Sequence, residues 1–199
     1  MIRDIHTNNE AVLSQRAVSC VPLLIAKKEE KKKKQPSGLT DAIESEKVVE
    51  EQEHIENPWL PYVLELIQDL KDTAENIAEN CLGLASNQIW VAENYDQDPG
   101  TPPPAVFIMR WPDATVLRRW DWKAIINPLV KPTGKTLKKE ESCLSFPGKV
   151  VKKSRGKNVF MNYQTEDSYQ ITPIHLREMQ GPYSHIVQHE VDHLMGKHV

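Results

Sequence analysis

The segment that most constrains the fold of this 199-residue chain is 188–194, QHEVDHL. His189 and His193 are four residues apart, so on an α-helix both imidazoles project from one face, one turn apart. This spacing suits two ligands of a single tetrahedral metal ion. Glu190 lies about 100° further around the helix than His189, within reach of a metal-bound water without being a ligand. The segment predicts a helix that carries an HExxH metal site.

Two histidines leave a catalytic metal one protein ligand short. The candidates for the third ligand are an upstream carboxylate, Cys143, His175, His185 and His198. We favour Cys143, because glutamates precede it and a Ser-Phe-Pro-Gly turn follows it. Cys20 and Cys81 instead have apolar neighbours, which are typical of core thiols. His185 shares a helix face with His189, a position that is also typical of a polar residue supporting the site.

Composition excludes several classes of protein. A formal charge of −3 and a pI near 6.2 argue against a dedicated nucleic-acid-binding protein, which would carry a basic excess, and we expect no DNA partner. The longest apolar runs, such as 21–26, are far shorter than the roughly 20 residues that a membrane span needs. The amino-terminal ten residues do not resemble a signal peptide. Three cysteines without a paired framework suit a reducing compartment, so we expect a cytoplasmic protein, either of a cell or of an infected host cell.

The sequence predicts three regions. Residues 1–26 are interpreted as an N-terminal arm. Residues 27–56 are dominated by lysine and then by glutamate, so they cannot bury enough apolar surface to offset the entropy of ordering. We interpret them as a mobile charged insertion, in which a solvated lysine cluster is favoured over a contact with RNA. Residues 57–199 are predicted to form the catalytic domain.

The predicted fold is α+β: mostly antiparallel short strands around the C-terminal HExxH helix, with a second long helix. Apolar residues at spacings of three and four predict that second helix between 57 and 78. Strands are predicted at 89–92, 105–109, 123–126 and 130, with a turn at 127–128, and a β pattern continues to Ile174. Gly181 and Pro182 then introduce the HExxH helix.

Three segments resemble, in order, the three motifs of the peptide deformylases. Residues 82–88, LGLASNQ, resemble the glycine-rich motif that ends in glutamine, and residues 141–145, ESCLS, resemble EGCLS. Residues 188–194 match QHExDHL without exception. Three positions depart from the family pattern: Cys81 stands in place of a glycine, Ser86 in place of an alanine and Ser142 in place of the glycine of EGCLS. The chain resembles the short members reported in viruses and phages, which lack the usual C-terminal extension.

The resemblance implies a role for each matched residue. Cys143, His189 and His193 would bind one divalent metal ion, Fe(II) in most of the family, with Zn, Ni or Co as alternatives. Glu190 would act as general acid and base, and Gln88 with the backbone N–H of Leu144 would stabilise the oxyanion. Residues near the peptide backbone and its first side-chain pocket, which prefers methionine, would be Leu82, Gly83, Glu141, Ser142 and His185.

The implied activity is removal of the N-formyl group from the N-terminal methionine of nascent polypeptides, with release of formate. The implied partners are N-formylmethionyl chains and the ribosome. In bacterial members the C-terminal tail can dock there, so this chain is expected to reach nascent chains in another way. Two alternatives use the same motif: a zincin-like metallopeptidase that cleaves internal peptide bonds, and a structural metal module whose site is closed by four protein ligands.

Overall fold

The protein was analysed as a computed structural model that describes residues 1–18, 60–77, 81–112, 120–167, 170–171 and 175–197. The predicted insertion at 27–56 therefore lies outside the described residues, as do the end of the predicted arm and His198. The described part of the arm contains a short helix, α1 (Glu10–Leu13). The arm contacts the rest of the protein through backbone hydrogen bonds. His6 N donates to Gln88 O at 2.8 Å, and Asn8 N donates to Ser145 O at 2.9 Å.

A five-stranded antiparallel sheet forms the centre of the fold, with strand order β1-β2-β3-β4-β7. Its strands are β1 (Gly83–Ala85), β2 (Val106–Pro112), β3 (Trp120–Cys143), β4 (Phe146–Gln164) and β7 (His175–Gln180). A separate two-stranded ladder joins β5 (Glu166–Asp167) to β6 (Gln170–Ile171). The α+β class and the antiparallel pairing are as predicted, but β3 and β4 are long strands of 24 and 19 residues rather than short ones.

The turn predicted at 127–128 is wrong, because β3 continues through it. Asn127 has a φ of 50°, and the pairing register between β3 and β4 shifts between Ile126 and Leu129. A bulge of this kind absorbs Pro128, which has no N–H to donate to the ladder. The proline signal therefore marks an irregularity within a strand and not its end.

Helices cover both faces of the sheet. Helix α2 (Leu60–Ile77) packs its buried stripe of Val63, Leu66, Leu70 and Ala74 on one face, and helix α3 (Pro182–Leu194) packs on the other. Strand β2 serves both layers: Ile108 belongs to the α2 side of the core, whereas Phe107 belongs to the α3 side with Val187. Because alternate residues of a strand point to opposite faces, β2 is apolar on both. None of the described helices has the length and apolar character needed to cross a bilayer.

The strand predicted at 89–92 is wrong. The segment lies between two 3-10 helices, Ser86–Gln88 and Ala92–Tyr95. Trp90 stacks on Tyr95 with ring centroids 4.9 Å apart and donates its indole N–H to Thr101 O. Ile89, Trp90 and Ala92 are buried in the core on the α2 side without forming a ladder, whereas Val91 is exposed.

A candidate metal centre between helix α3 and the β3–β4 turn

Helix α3 and the end of β3 bring three metal-ligating side chains together. The ligand atoms of Cys143, His189 and His193 all lie within 4.8 Å of one another. Cys143 Sγ is 3.1 Å from His193 Nε2, and the two histidine rings have centroids 5.1 Å apart. The helix supplies the histidines because residues four apart share a face. The tight turn after β3 directs Cys143 toward that face.

This donor set fits a divalent transition metal. A thiolate and two imidazoles bind at about 2.3 and 2.0–2.1 Å, so tetrahedral ligands of one ion lie roughly 3.5 Å apart. His185 is not part of the cluster, and Glu141, the adjacent upstream carboxylate, contacts the remote nitrogen of His189 instead. No fourth His, Cys, Asp or Glu joins the three among the described residues. Three protein ligands leave one coordination position open, as in catalytic sites.

Glu190 is buried beside the cluster, with 4% of its surface exposed. Its Oε2 atom has no hydrogen-bond partner among the described residues, and burial raises the pKa of the carboxyl to about 7. Gly83 makes room for it: a Cβ on that residue would lie 2.5 Å from Glu190 Oε1. The glycine of the 82–88 motif is therefore required by the close approach of the glutamate.

Gln88 directs its amide group at the turn that carries Cys143. Its Oε1 atom accepts a hydrogen bond from Ala85 N at 2.8 Å, which orients the amide so that Nε2 faces the site. Nε2 donates to Ser145 Oγ at 3.0 Å and lies 3.8 Å from Cys143 Sγ. Leu144, between these two residues, is half-buried and lines the same cavity. The side-chain donor of Gln88 and the backbone N–H of Leu144 thus belong to residues that line the same cavity.

A charged network holds His189 from behind. His189 Nδ1 is 3.2 Å from Glu141 Oε2, which leaves its Nε2 atom for the cluster. Arg155 on β4 donates Nε and Nη2 to the two oxygens of Glu141 at 2.8 Å, and Nη1 to Asp192 Oδ2 at 2.5 Å. Although burial opposes ionisation, the hydrogen bonds from Arg155 and His189 lower the pKa of Glu141 to about 2. Glu141 is therefore a fixed anion that orients a metal ligand.

Several residues of the site were missed by sequence reasoning. Arg155 is nearly fully buried, and Ser145 is fully buried next to Gln88. Asn87 donates its side-chain N–H to His193 O at 2.6 Å and to Leu13 O of the arm at 3.3 Å. For Arg155 the signal was a charged residue within a strand in which alternate side chains point to the core. For Ser145 and Asn87 the signal was the polar character of segments predicted to be close to the metal.

A cavity of about 310 Å³ opens in front of the cluster. It is lined by all five residues that the resemblance placed near the substrate: Leu82, Gly83, Glu141, Ser142 and His185. Leu82 and Ser142 are exposed at its rim, whereas His185 is buried and neither of its ring nitrogens has a hydrogen-bond partner in the described part of the chain. The cavity thus joins the metal cluster to the edge strand β1 and to the end of β3.

The chain is similar to known deformylases. The profile of the polypeptide deformylases matches residues 44–199. Peptide deformylase 1 of Prochlorococcus marinus is 32% identical over 135 residues, which make up 67% of this chain and 64% of that protein. The peptide deformylase of Aquifex aeolicus is 35% identical over 136 residues, or 67% of this chain and 69% of that protein. The aligned region is thus slightly less than two thirds of the Prochlorococcus protein and slightly more than two thirds of the Aquifex protein.

The fold is also that of solved deformylases. The Met-Ala-Ser-bound crystal structure of class I type b peptide deformylase from Acinetobacter baumannii superposes with a TM-score of 0.63 at 20% identity, covering 99% of this chain and 96% of that chain. At that identity the similarity shows the fold alone. The family profile, however, spans most of the chain, including every residue of the cluster. The chain therefore belongs to the polypeptide deformylase family.

Proposed function

We propose that this protein hydrolyses the formamide of N-formylmethionyl peptides, which yields formate and a free amino terminus. The observation that carries the proposal is the combination of three metal-ligating side chains, a buried unpaired carboxyl and an amide donor around one cavity. Amide hydrolysis requires an activated water, a proton acceptor and a donor for the oxyanion. The candidate residues supply all three requirements within a few ångströms of one another.

Cys143, His189 and His193 would hold one divalent ion, for which we propose Fe(II), with Zn, Ni or Co as substitutes that suit the same donors. The bound ion supplies Lewis acidity, which activates water and polarises a carbonyl. The Glu190 carboxylate, whose Oε2 atom has no hydrogen-bond partner among the described residues, accepts a proton from the attacking water and then passes it to the departing amine. A carboxyl whose burial raises its pKa to about 7 is suited to both transfers near neutral pH.

Gln88 Nε2 and the backbone N–H of Leu144 would donate hydrogen bonds to the oxyanion of the tetrahedral intermediate. Two contacts hold the Gln88 amide before substrate arrives, one from Ala85 N and one to Ser145 Oγ. A donor that is already oriented loses little free energy to reorganisation during the reaction. Each such donor is worth on the order of 100-fold in rate.

The substrate would lie as an extended strand between β1 and the end of β3, near Gly83 and Ser142. Its methionine side chain would enter the pocket near Leu82, Glu141 and His185. A precedent for the ligand class is the tripeptide Met-Ala-Ser, which is bound to the Acinetobacter baumannii deformylase. We propose nascent chains leaving a ribosome in the cytoplasm as the physiological substrates.

The two other uses of an HExxH helix are less well supported. A zincin-like peptidase would take its third ligand downstream of the helix, whereas Cys143 precedes His189 by 46 residues and lies in the cluster. A structural metal module would need a fourth protein ligand, and the described residues offer only three. The proposed hydrolase needs three protein ligands and one open position, and the cluster offers three such residues.

The test is formate release from formyl-Met-Ala-Ser, with unformylated Met-Ala-Ser as the control substrate. Glu190→Ala should retain the metal but lose about 10²- to 10⁴-fold in kcat, because the proton acceptor is gone. Glu75→Ala, which alters an exposed glutamate on α2, is the matched control and should keep the wild-type rate. Near-normal formate release by Glu190→Ala would contradict the mechanism. Cleavage inside the unformylated peptide without formate would contradict the proposed activity.

A further inference from the structure

Charge is distributed unevenly in this protein. Residues 131–157 form the part of the β3–β4 ladder nearest the connecting turn, together with that turn, and we call this segment the basic ribbon. It contains eight lysines and Arg155 against only Glu140 and Glu141, a net charge of +7. The whole chain has a charge of −3, so all other residues together carry −10. The basic ribbon is thus a strongly basic element within a mildly acidic protein.

Most of the positive charge on the basic ribbon faces solvent. The exposed lysines are Lys131, Lys135, Lys138, Lys139, Lys149, Lys152 and Lys157. Of the two acidic residues, Glu141 is held by Arg155 and His189, and Glu140 is 3.6 Å from Lys152. The acidic helix α2, with Asp69 and Asp72 among its residues, packs mainly against β1 and β2. The ribbon therefore presents a local positive field.

One face of the ribbon combines cations with hydroxyl groups. Arg155 points toward α3, where it contacts Asp192, so the neighbouring Ser154 and Lys152 project from the opposite, outer face. Lys138 pairs with Ser154 across the ladder and shares that face, as does Thr136, which pairs with Gly156. Glu140, which pairs with Lys152, is the acidic residue on the same face. Lys138 and Lys152 are diagonal neighbours, roughly 7–8 Å apart at the backbone. Their ammonium groups can therefore reach adjacent phosphates of one nucleic-acid strand.

We infer that the outer face of the basic ribbon binds the phosphate backbone of double-stranded RNA. Lysine and the hydroxyls of serine and threonine are frequent phosphate partners. Protein interfaces are instead depleted in lysine and enriched in aromatic residues, and the ribbon's only aromatic residue, Phe146, is buried. The chemistry of this face therefore favours a polyphosphate over an acidic protein.

The basic ribbon lies next to the cavity, which suggests what RNA binding would do for the enzyme. Lys139 and Glu140, the two residues that follow Lys138 in the chain, line the cavity in front of the metal cluster. An RNA helix on the outer face would hold the cavity mouth close to an RNA surface such as that of a ribosome. This consequence rests on the proposed function, because only an enzyme that acts on nascent chains gains from the location.

The test measures binding of a fluorescein-labelled RNA duplex of roughly 20 base pairs by anisotropy over a range of salt concentrations. Lys138→Gln/Lys152→Gln removes two positive charges from the outer face. Arg16→Glu, at an exposed site on the arm, changes the net charge by the same amount and is the matched control. The double variant should bind at least roughly tenfold more weakly at 0.1 M salt, and the slope of log K against log salt should fall by about 2. Arg16→Glu should bind within about twofold of wild type.

Three results would overturn the inference: no binding by the wild type, equal weakening by Arg16→Glu, or equally tight binding of a polyglutamate peptide of matched charge. Formate release from formyl-Met-Ala-Ser is measured in parallel and should be unchanged in the double variant, since neither lysine lines the cavity. Loss of RNA binding with wild-type formate release separates docking from catalysis. A wild-type protein that binds RNA but releases no formate would refute the proposed function and leave the RNA-binding surface standing.

Discussion

Replacing Arg155 with methionine tests whether the charged network behind His189 sets both stability and metal affinity. Methionine keeps much of the apolar stem but removes the three hydrogen bonds to Glu141 and Asp192. The side chains of Glu141 and Asp192 are only 10% and 18% exposed, so both carboxylates would lose a buried cation. Asp192 would keep only the more exposed Lys197, at 3.6 Å. We therefore expect Arg155→Met to cost about 3–5 kcal/mol in the free energy of unfolding of the metal-free protein, as for other broken buried pairs.

The cost should depend on pH in a defined direction. In the wild type the pKa of Glu141 is lowered to about 2 from an ordinary value of 4.5. A lowered pKa contributes stability that is complete above the unfolded value and is lost as pH falls through the folded value. Arg155→Met removes the main hydrogen bonds that hold the pKa down. The difference in stability between the two proteins should therefore be largest near neutral pH and shrink as pH falls from about 4.5 toward 2.

The assays are urea unfolding of the metal-free proteins and competition of the loaded proteins with a chelator. Metal affinity should fall 10- to 100-fold, a typical effect of removing a group that orients a ligand. Lys157→Met is the matched control, because it replaces an exposed cation two residues further along the same strand face. If Arg155→Met unfolded within 1 kcal/mol of the control and kept its metal equally well, the network would not be what positions His189.

Three other substitutions test the site directly. Cys143→Ala should lose the bound metal on dialysis, measured by elemental analysis, because two imidazoles alone hold an ion weakly; full metal retention would exclude Cys143 as a ligand. Gln88→Ala should lower kcat for formyl-Met-Ala-Ser about 100-fold with little change in KM, since it removes one oxyanion donor; an unchanged kcat would exclude that role. Gly83→Ala places a Cβ 2.5 Å from Glu190 Oε1. Turnover should therefore fall at least about tenfold while the metal is retained. A wild-type rate would show that Glu190 does not need its present position.

The metal cluster was accessible from sequence because its determinants are local. Histidines four apart require only that 188–194 be helical, and Pro182 after Gly181 marks the start of that helix. The preference for Cys143 rested on the polar turn that follows it, and the structure brings its thiol to 3.1 Å from His193. Helix α2 was predictable for the same reason, since its stripe repeats every three to four residues.

Pairings across the sheet were not accessible in the same way. Whether Pro128 ends a strand or sits in a bulge depends on the register between β3 and β4, which lie far apart in sequence. The contact of Arg155 with both Glu141 and Asp192 depends on that register and on the docking of α3. The segment 89–92 has β-forming residues, but Ile89, Trp90 and Ala92 reach the α2 side of the core without pairing as a strand. In each case tertiary contacts outweighed the local signal.

The segment 188–194 has a further meaning once the sheet is in place. His189 and His193 form the metal cluster together with Cys143, and Glu190 lies against Gly83 at the cavity. Gln188 and Asp192 are also four residues apart, and both face β4: Gln188 bonds the backbone of Gly156 through Oε1 and Nε2, and Asp192 accepts from Arg155.

These polar contacts are what fix the helix in register. An apolar interface such as that of Val187 with its neighbours tolerates small shifts of a helix, but a catalytic constellation must be held to about 0.5 Å. Buried hydrogen bonds are directional and costly to leave unmade. Gln188 and Asp192, one residue before each histidine, therefore lock the two ligands to the strand that carries Arg155. The segment 188–194 thus contains the residues that attach the helix to the sheet as well as the proposed metal ligands and the proposed base.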